Sequence, residues 1–186
     1  MKLSLSSLLV TAACVYSVAA VNVTFFTTPN CDSNSGSAIR YICIDLAPET
    51  CCGISLPGAR TVEFRAVPTN QNLELRSCRG GRCLRRTADD SSRGRGIICF
   101  TREPPYTGAG YGRFTRKRNG FEGGADKGEC VRPQEMQLGD GSKFNLTSLS
   151  DADYAKIGEL AQKNQSSVVE QFGQLVITAQ IPSNDK

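Results

Sequence analysis

The sequence predicts a mainly β fold, an antiparallel Greek-key sandwich or barrel held by disulfides, with a helix-containing segment at its C-terminal end. Three observations predict it. Short runs of β-branched and aromatic residues recur between clusters of Gly, Pro, Asn and Ser. Eight cysteines fall between Cys31 and Cys130. Beyond Cys130 cysteine stops, and apolar residues take up helical spacing.

The N-terminus precedes the fold. Lys2 gives one positive charge, Leu3 to Val18 carries none, and Val18-Ala19-Ala20 supplies small residues before the polar Asn22. This is the pattern of a secretory signal peptide over residues 1–20, cut after Ala20, with a cut after Ala19 as the alternative. Its apolar core is shorter than the roughly 20 residues of a spanning helix, so no transmembrane segment is expected. The ninth cysteine, Cys14, leaves with the signal. Cys31, Cys43, Cys51, Cys52, Cys78, Cys83, Cys99 and Cys130 remain, an even set that an oxidising, extracellular compartment lets pair. Eight cysteines allow 105 pairings. One pair is suggested locally: Gly80-Gly81 midway between Cys78 and Cys83 suits a two-residue hairpin turn that would set the two cysteines opposite each other. Three glycosylation sequons, at Asn22, Asn145 and Asn164, accord with export.

A disulfide-bonded β domain is expected over residues 21–130. Val21 to Thr27 is its first strand, stopped by Pro29-Asn30, and Ile39 to Ile44 its second. Thr61 to Val67 alternates, with Val62, Phe64 and Ala66 on one face. Leu73 to Arg76 alternates again, and Gly96 to Phe100 is a short buried-looking run. Glu103 to Gly128 is glycine-rich and reads as loop, with one more strand over Tyr111 to Arg116. The cysteine-free segment 131–186 carries a helix over about 151–164, introduced by Ser150-Asp151-Ala152-Asp153 as a cap with acidic first turn. Residues 168–181 fit strand or helix.

Two stretches look alike. Val23-Thr24-Phe25-Phe26 leads to Asn30-Cys31 and Gly36, and Leu73-Glu74-Leu75-Arg76 leads to Cys78-Arg79-Gly80. A strand, a tight loop and a following glycine resemble the signature of βγ-crystallin-like domains, and the resemblance implies two Greek keys packed as a sandwich within residues 22–118. Leu75 stands where that family has an aromatic residue. Asp89-Asp90-Ser91-Ser92 begins like the family's calcium motif, but Arg93-Gly94 departs from it, so the fold is carried over and calcium binding is not. The chain as a whole resembles the small secreted cysteine-rich proteins of fungi.

The chain has no histidine. Serine triads, cysteine–histidine dyads and histidine metal sites are thereby excluded. With every mature cysteine oxidised, thiolate chemistry goes too. Carboxylate chemistry stays open, with Glu63, Glu74, Asp89, Asp90 and Glu103 as the core acids. No catalytic residue, metal ligand or cofactor is singled out.

Arginine is the positive signal. Residues 76–118 hold twelve basic side chains against three acids: Arg76, Arg79, Arg82, Arg85, Arg86, Arg93, Arg95, Arg102, Arg113, Arg116, Lys117 and Arg118. Such a segment suits an anionic partner, because guanidinium forks bind phosphate, sulfate and carboxylate. For an exported protein, anionic polysaccharide or lipid head groups fit better than nucleic acid. Lys117-Arg118 also offers a dibasic cutting site. The function expected is a secreted, non-catalytic binding protein (effector, toxin-like or wall-associated). The alternatives are a secreted carboxylate-dependent glycan hydrolase and a structural extracellular protein.

Overall fold

The computed structural model describes residues 20–54, 58–80, 83, 85–113 and 130–177. Among the described residues, eleven strands form two sheets over one core. Four of them, β1 (Val21–Phe26), β2 (Arg40–Leu46), β3 (Cys51–Gly53) and β4 (Thr61–Arg65), make a first Greek key. A second follows in β5 (Leu73–Arg79), β6 (Arg85–Ser91), β7 (Ile98–Phe100) and β8 (Gly108–Arg113). Then come β9 (Cys130–Val131), β10 (Glu135–Gln137), β11 (Lys143–Asn145), and helices α1 (Asp151–Lys163) and α2 (Gln165–Phe172).

The two keys exchange strands. The first sheet runs β11-β10-β2-β1-β4-β7 and the second β6-β5-β8-β3-β9. Each key therefore sends its third strand into the sheet of the other. Neighbours are antiparallel except β3 and β9, which run parallel. Alternation explains which side chains meet inside. Val21, Val23 and Phe25 of β1 share the core with Val62 and Phe64 of β4, and with Leu73, Leu75, Ala109 and Tyr111 of the second sheet. Phe64 meets Phe100 edge-on at 5.3 Å, within the favoured range for aromatic pairs.

The C-terminal segment completes this core. Met136, Leu138, Phe144 and Leu146 are fully buried around β10 and β11, and Tyr154, Ile157, Ala161, Val168 and Phe172 close over them from the helices. The capping reads as its sequence suggests: Ser150 Oγ accepts from the Asp153 amide at 3.1 Å, so α1 starts at Asp151. Asn164 caps α2 in the same way, which makes the ambiguous stretch helical through Phe172.

Three disulfides join the described residues: Cys31–Cys99, Cys43–Cys52 and Cys51–Cys83. The suggested pairing of Cys78 with Cys83 is corrected. Register explains why. Cys78 stands opposite Arg86 and Arg79 opposite Arg85, after an irregularity at Ser77/Cys78. The connection therefore spans residues 80–84 instead of two, and Cys83 sits within it at positive φ, bonded to Cys51. Among the described residues, Cys78 stands outside these three bridges. Two bridges link the keys, and each holds an exchanged strand. Cys99 ties β7 to the turn after β1, and Cys51 ties β3 to the loop after β5.

Three strand expectations shift. The glycine-rich stretch read as loop up to Tyr111 is already strand from Gly108, described through Arg113, and residues 114–116 of the expected strand lie outside the described residues. Arg85–Ser91 is a strand without apolar alternation. The segment after Cys130 adds β10 and β11 to the first sheet.

Candidate functional site

The two informative residue types of the sequence, cysteine and arginine, meet on the outer face of the second sheet. Leu73 and Leu75 point inward from β5, so Glu74, Arg76 and Cys78 point outward. On β8, Ala109 and Tyr111 point inward and Gly108, Gly110 and Gly112 outward. That glycine row is a bed for other chain. A Cβ at Gly110 would lie 2.6 Å from the Thr50 carbonyl oxygen, and one at Gly108 would lie 2.7 Å from Cys83 Sγ. Gly112 lies against the Glu49 carboxylate and the Arg76 guanidinium.

Glu49 reaches this place because the turn carrying it is bonded to β8, its amide donating to the Tyr111 carbonyl at 2.8 Å. Arg76, with a side chain only 5% exposed, then donates to Glu49 at 2.6 Å and to Glu74 at 2.8 Å. Arg86 bonds Glu74 from the other side and reaches Asp89 at 2.9 Å. The result is a chain of alternating charge, Glu49–Arg76–Glu74–Arg86–Asp89. Burial by itself would raise the Glu74 pKa. The bonds from Arg86 and Arg76 outweigh it and hold the carboxyl below its ordinary range. For Arg76, burial acts against the charge, and the bonds from Glu49 and Glu74 more than restore it.

The sulfurs lie beside this network. Cys51, Cys78 and Cys83 form a buried cluster of their own, with Cys130 packed against it. The sulfurs of Cys51, Cys83 and Cys130 all lie within 4.8 Å of one another. Burial pushes the Cys78 thiol up to about 12, against the opposing pull of Arg86.

The predicted arginines thus divide. Arg76 is buried and Arg86 half-buried, both within the network, so neither belongs to an exposed binding face. Arg79 donates to the carbonyls of Glu103 and Pro104. Arg95 bonds Asp90 at 2.6 Å. Arg85, Arg93, Arg102 and Arg113 are exposed, and among the described residues none of them makes an ion pair. Arg93 and Arg113 flank the start of β5 from its two sides. Arg113 is registered opposite Leu73, and the Arg93 amide donates to the Asn72 side chain at 3.1 Å. Arg82, Arg116, Lys117 and Arg118 lie outside the described residues.

The core acids are occupied as well. Glu63 bonds Arg65, Glu74 serves Arg76 and Arg86, and Asp89 and Asp90 serve Arg86 and Arg95. Glu103 is exposed and accepts from Arg79 through its backbone. Of the sequon asparagines, Asn145 and Asn164 are exposed. Asn22 is half-buried on the central strand β1, its side chain accepting from the Asp45 amide at 2.9 Å. Sequence reasoning passed over Glu49 and the glycine bed. The alternation Gly108-Ala109-Gly110-Tyr111-Gly112 was the available signal for the bed.

A family model described as an N-terminal domain, ARB_05566_N, matches residues 22–134. The chain belongs to the ARB_05566_N family. The ARB_05566_N domain takes in both Greek keys, β9 and the eight cysteines from Cys31 to Cys130, while β10, β11 and the helices lie past its end. No curated protein and no solved structure matches the chain.

Proposed function

We propose that this is an exported, non-catalytic binding protein whose second sheet ends in a basic site for an anionic extracellular partner, an acidic polysaccharide or an anionic lipid head group. The observation that carries the reading is the sorting of the arginines. Internal acids take up Arg76, Arg86 and Arg95, whereas Arg93 and Arg113 remain exposed and flank the same Asn72-Leu73 corner. The chain runs on from Arg113 to Arg116-Lys117-Arg118. Several cations at one corner attract a polyanion through a field that salt screens over about 8–10 Å.

Export is supported by the N-terminal signal pattern and by three disulfides. The first strand opens at Val21, so removal of residues 1–20 leaves the sheet whole. Among the described residues no helix is long and apolar enough to cross a membrane. The two keys packed as one sandwich support the βγ-crystallin-like reading of residues 22–118, of which the structure describes the strands through Arg113.

The test is retention on an anionic polysaccharide matrix. Wild-type protein is expected to elute at higher salt than the double variant Arg93→Ser/Arg113→Ser. Retention that does not change between low and moderate ionic strength would sink the polyanion reading. N-terminal sequencing of protein recovered from the medium tests export, with Val21 expected first.

A further inference from the structure

The outer face of the first sheet carries a cleft of about 400 Å³, on the other sheet from the basic corner. Five strands floor it, and Ser33 of the loop after β1 borders it. Register orders its side chains in rows. Lys143, Gln137, Arg40 and Phe26 follow one another across β11, β10, β2 and β1. Glu135, Ile42, Thr24 and Glu63 make the next row, across β10, β2, β1 and β4. Their neighbours along each strand, such as Met136, Tyr41, Phe25 and Phe64, fill the core, so these residues point outward.

Phe26, Thr24 and Glu63 are buried all the same, and with the half-buried Ile42 they form the floor. The Glu63 carboxylate is committed to Arg65, which donates to both of its oxygens. Arg40 is left over. Among the described residues it makes no ion pair, and its buried Nε has no hydrogen-bond partner. Burial and the neighbouring Arg65 weigh against its charge, and Glu63 offsets them only in part. An anion bonded to such a guanidinium meets a group already partly stripped of water.

Two acceptors share the cleft. Glu135 is half-buried and makes no ion pair among the described residues. Gln137 donates from Nε2 to the Gly141 carbonyl at 3.1 Å, so Oε1 is the atom it offers. A cation lacking its anion, beside two acceptors and above an apolar floor, selects a ligand with one negative group and several hydroxyls. A phosphate group brings the charge but sets unprotonated oxygens against Glu135. A neutral sugar brings only the hydroxyls.

We propose that this cleft binds one hexuronate unit of an acidic polysaccharide, its carboxylate on Arg40 and its hydroxyls donating to Glu135 and Gln137. The inference rests on the anionic-partner reading and chooses the sugar acid over the lipid head group. Lys143, exposed at the end of the row, adds a second positive charge.

The test titrates isotope-labelled protein, at fixed ionic strength, with sodium glucuronate and separately with sodium galacturonate, while amide NMR signals are followed. Movement of the Phe26, Arg40 and Ile42 amides is expected with at least one of them. Its half-saturation should fall at least about tenfold below that of glucose or of dimethyl phosphate, the stand-in for a lipid head group. No movement at these amides overturns the proposal, as does glucose or dimethyl phosphate acting at equal concentration. Arg40→Gln is expected to weaken hexuronate binding about tenfold or more, and unchanged binding refutes the assignment. Glu135→Gln provides a second check if that variant fails to fold. It should weaken the hexuronate and strengthen dimethyl phosphate, and tighter hexuronate binding would contradict the hydroxyl contact. The two readings fail separately. Salt-sensitive retention on the anionic matrix without hexuronate shifts in the cleft sinks this inference alone, whereas shifts in the cleft without such retention support it and sink the basic corner.

Discussion

The two Greek keys share one topology and are stabilised by different chemistry. The first is built from aromatic and β-branched side chains, with Phe25 and Phe64 at its centre and Cys43–Cys52 within it. The second has fewer apolar side chains. Its strand β8 has glycine at every outward position, and its strand β6 is exposed to half-buried along its length. Charge alternation on β5 and β6 and a packed sulfur cluster make up the difference. A Greek key, then, requires a pattern of facing residues and not a particular amount of hydrophobic side chain, provided something else holds the outer face.

The comparison can be broken most strongly at the bridges between keys. Cys31–Cys99 closes the largest sequence separation, 68 residues, and its removal by Cys31→Ser/Cys99→Ser is expected to lower stability by about 4 kcal/mol. Cys43–Cys52, within the first key, spans 9 residues and is expected to cost about 2–3 kcal/mol. Urea unfolding of both variants orders the two, and equal losses would mean that linkage between keys has no special weight.

Glycine substitution sharpens the contrast. Gly110→Ala drives a Cβ into the Thr50 carbonyl and is expected to cost up to about 3 kcal/mol, whereas Gly36→Ala, near the first key, meets nothing within 4 Å and should be close to neutral. Matching midpoints in urea for the two variants would contradict the close approach.

Next in size is the charge chain. Glu74→Gln removes the central carboxylate shared by Arg76 and Arg86 and is expected to cost about 2 kcal/mol. The same group sets a pH dependence. The folded-state pKa of Glu74 is depressed, as is that of Asp90, where burial is outweighed by Arg95 and the Ser91 amide. Their contribution is therefore present above the unfolded carboxylate range near pH 4 and is lost as pH falls through the depressed values. Thermal melts between pH 6 and pH 2 should show this loss in the wild type and less of it in Glu74→Gln.

The smallest effect on stability falls at the basic corner. Arg93→Ser/Arg113→Ser is expected to shift stability by less than about 0.5 kcal/mol while weakening retention on the anionic matrix. A large loss of stability would place these arginines with Arg76 as internal supports.

What was legible in the sequence follows the same division. Strands β1, β4 and β5 were readable because apolar side chains alternate along them, and α1 because Ser150 and the acidic turn announce it. Arg85–Ser91 was not, since a strand whose neighbours are matched by charge carries no apolar period. Gly108–Arg113 looked like loop because glycine signals a turn unless its alternation with Ala109 and Tyr111 is noticed. Within the site, the abundance of arginine was plain from composition. Which arginines are spent internally was not, because the partner of Arg76 includes Glu49, 27 residues away in sequence and placed by the fold.

The exchanged strands change what a cut in the chain would do. A protease acting in the connection between Arg65 and Leu73 would separate the keys in sequence only. Each half would still have a strand inside the other's sheet, with Cys31–Cys99 and Cys51–Cys83 crossing the break. In surroundings rich in digestive enzymes, such a molecule can be nicked at its waist and still travel as one particle until a reductant reaches it.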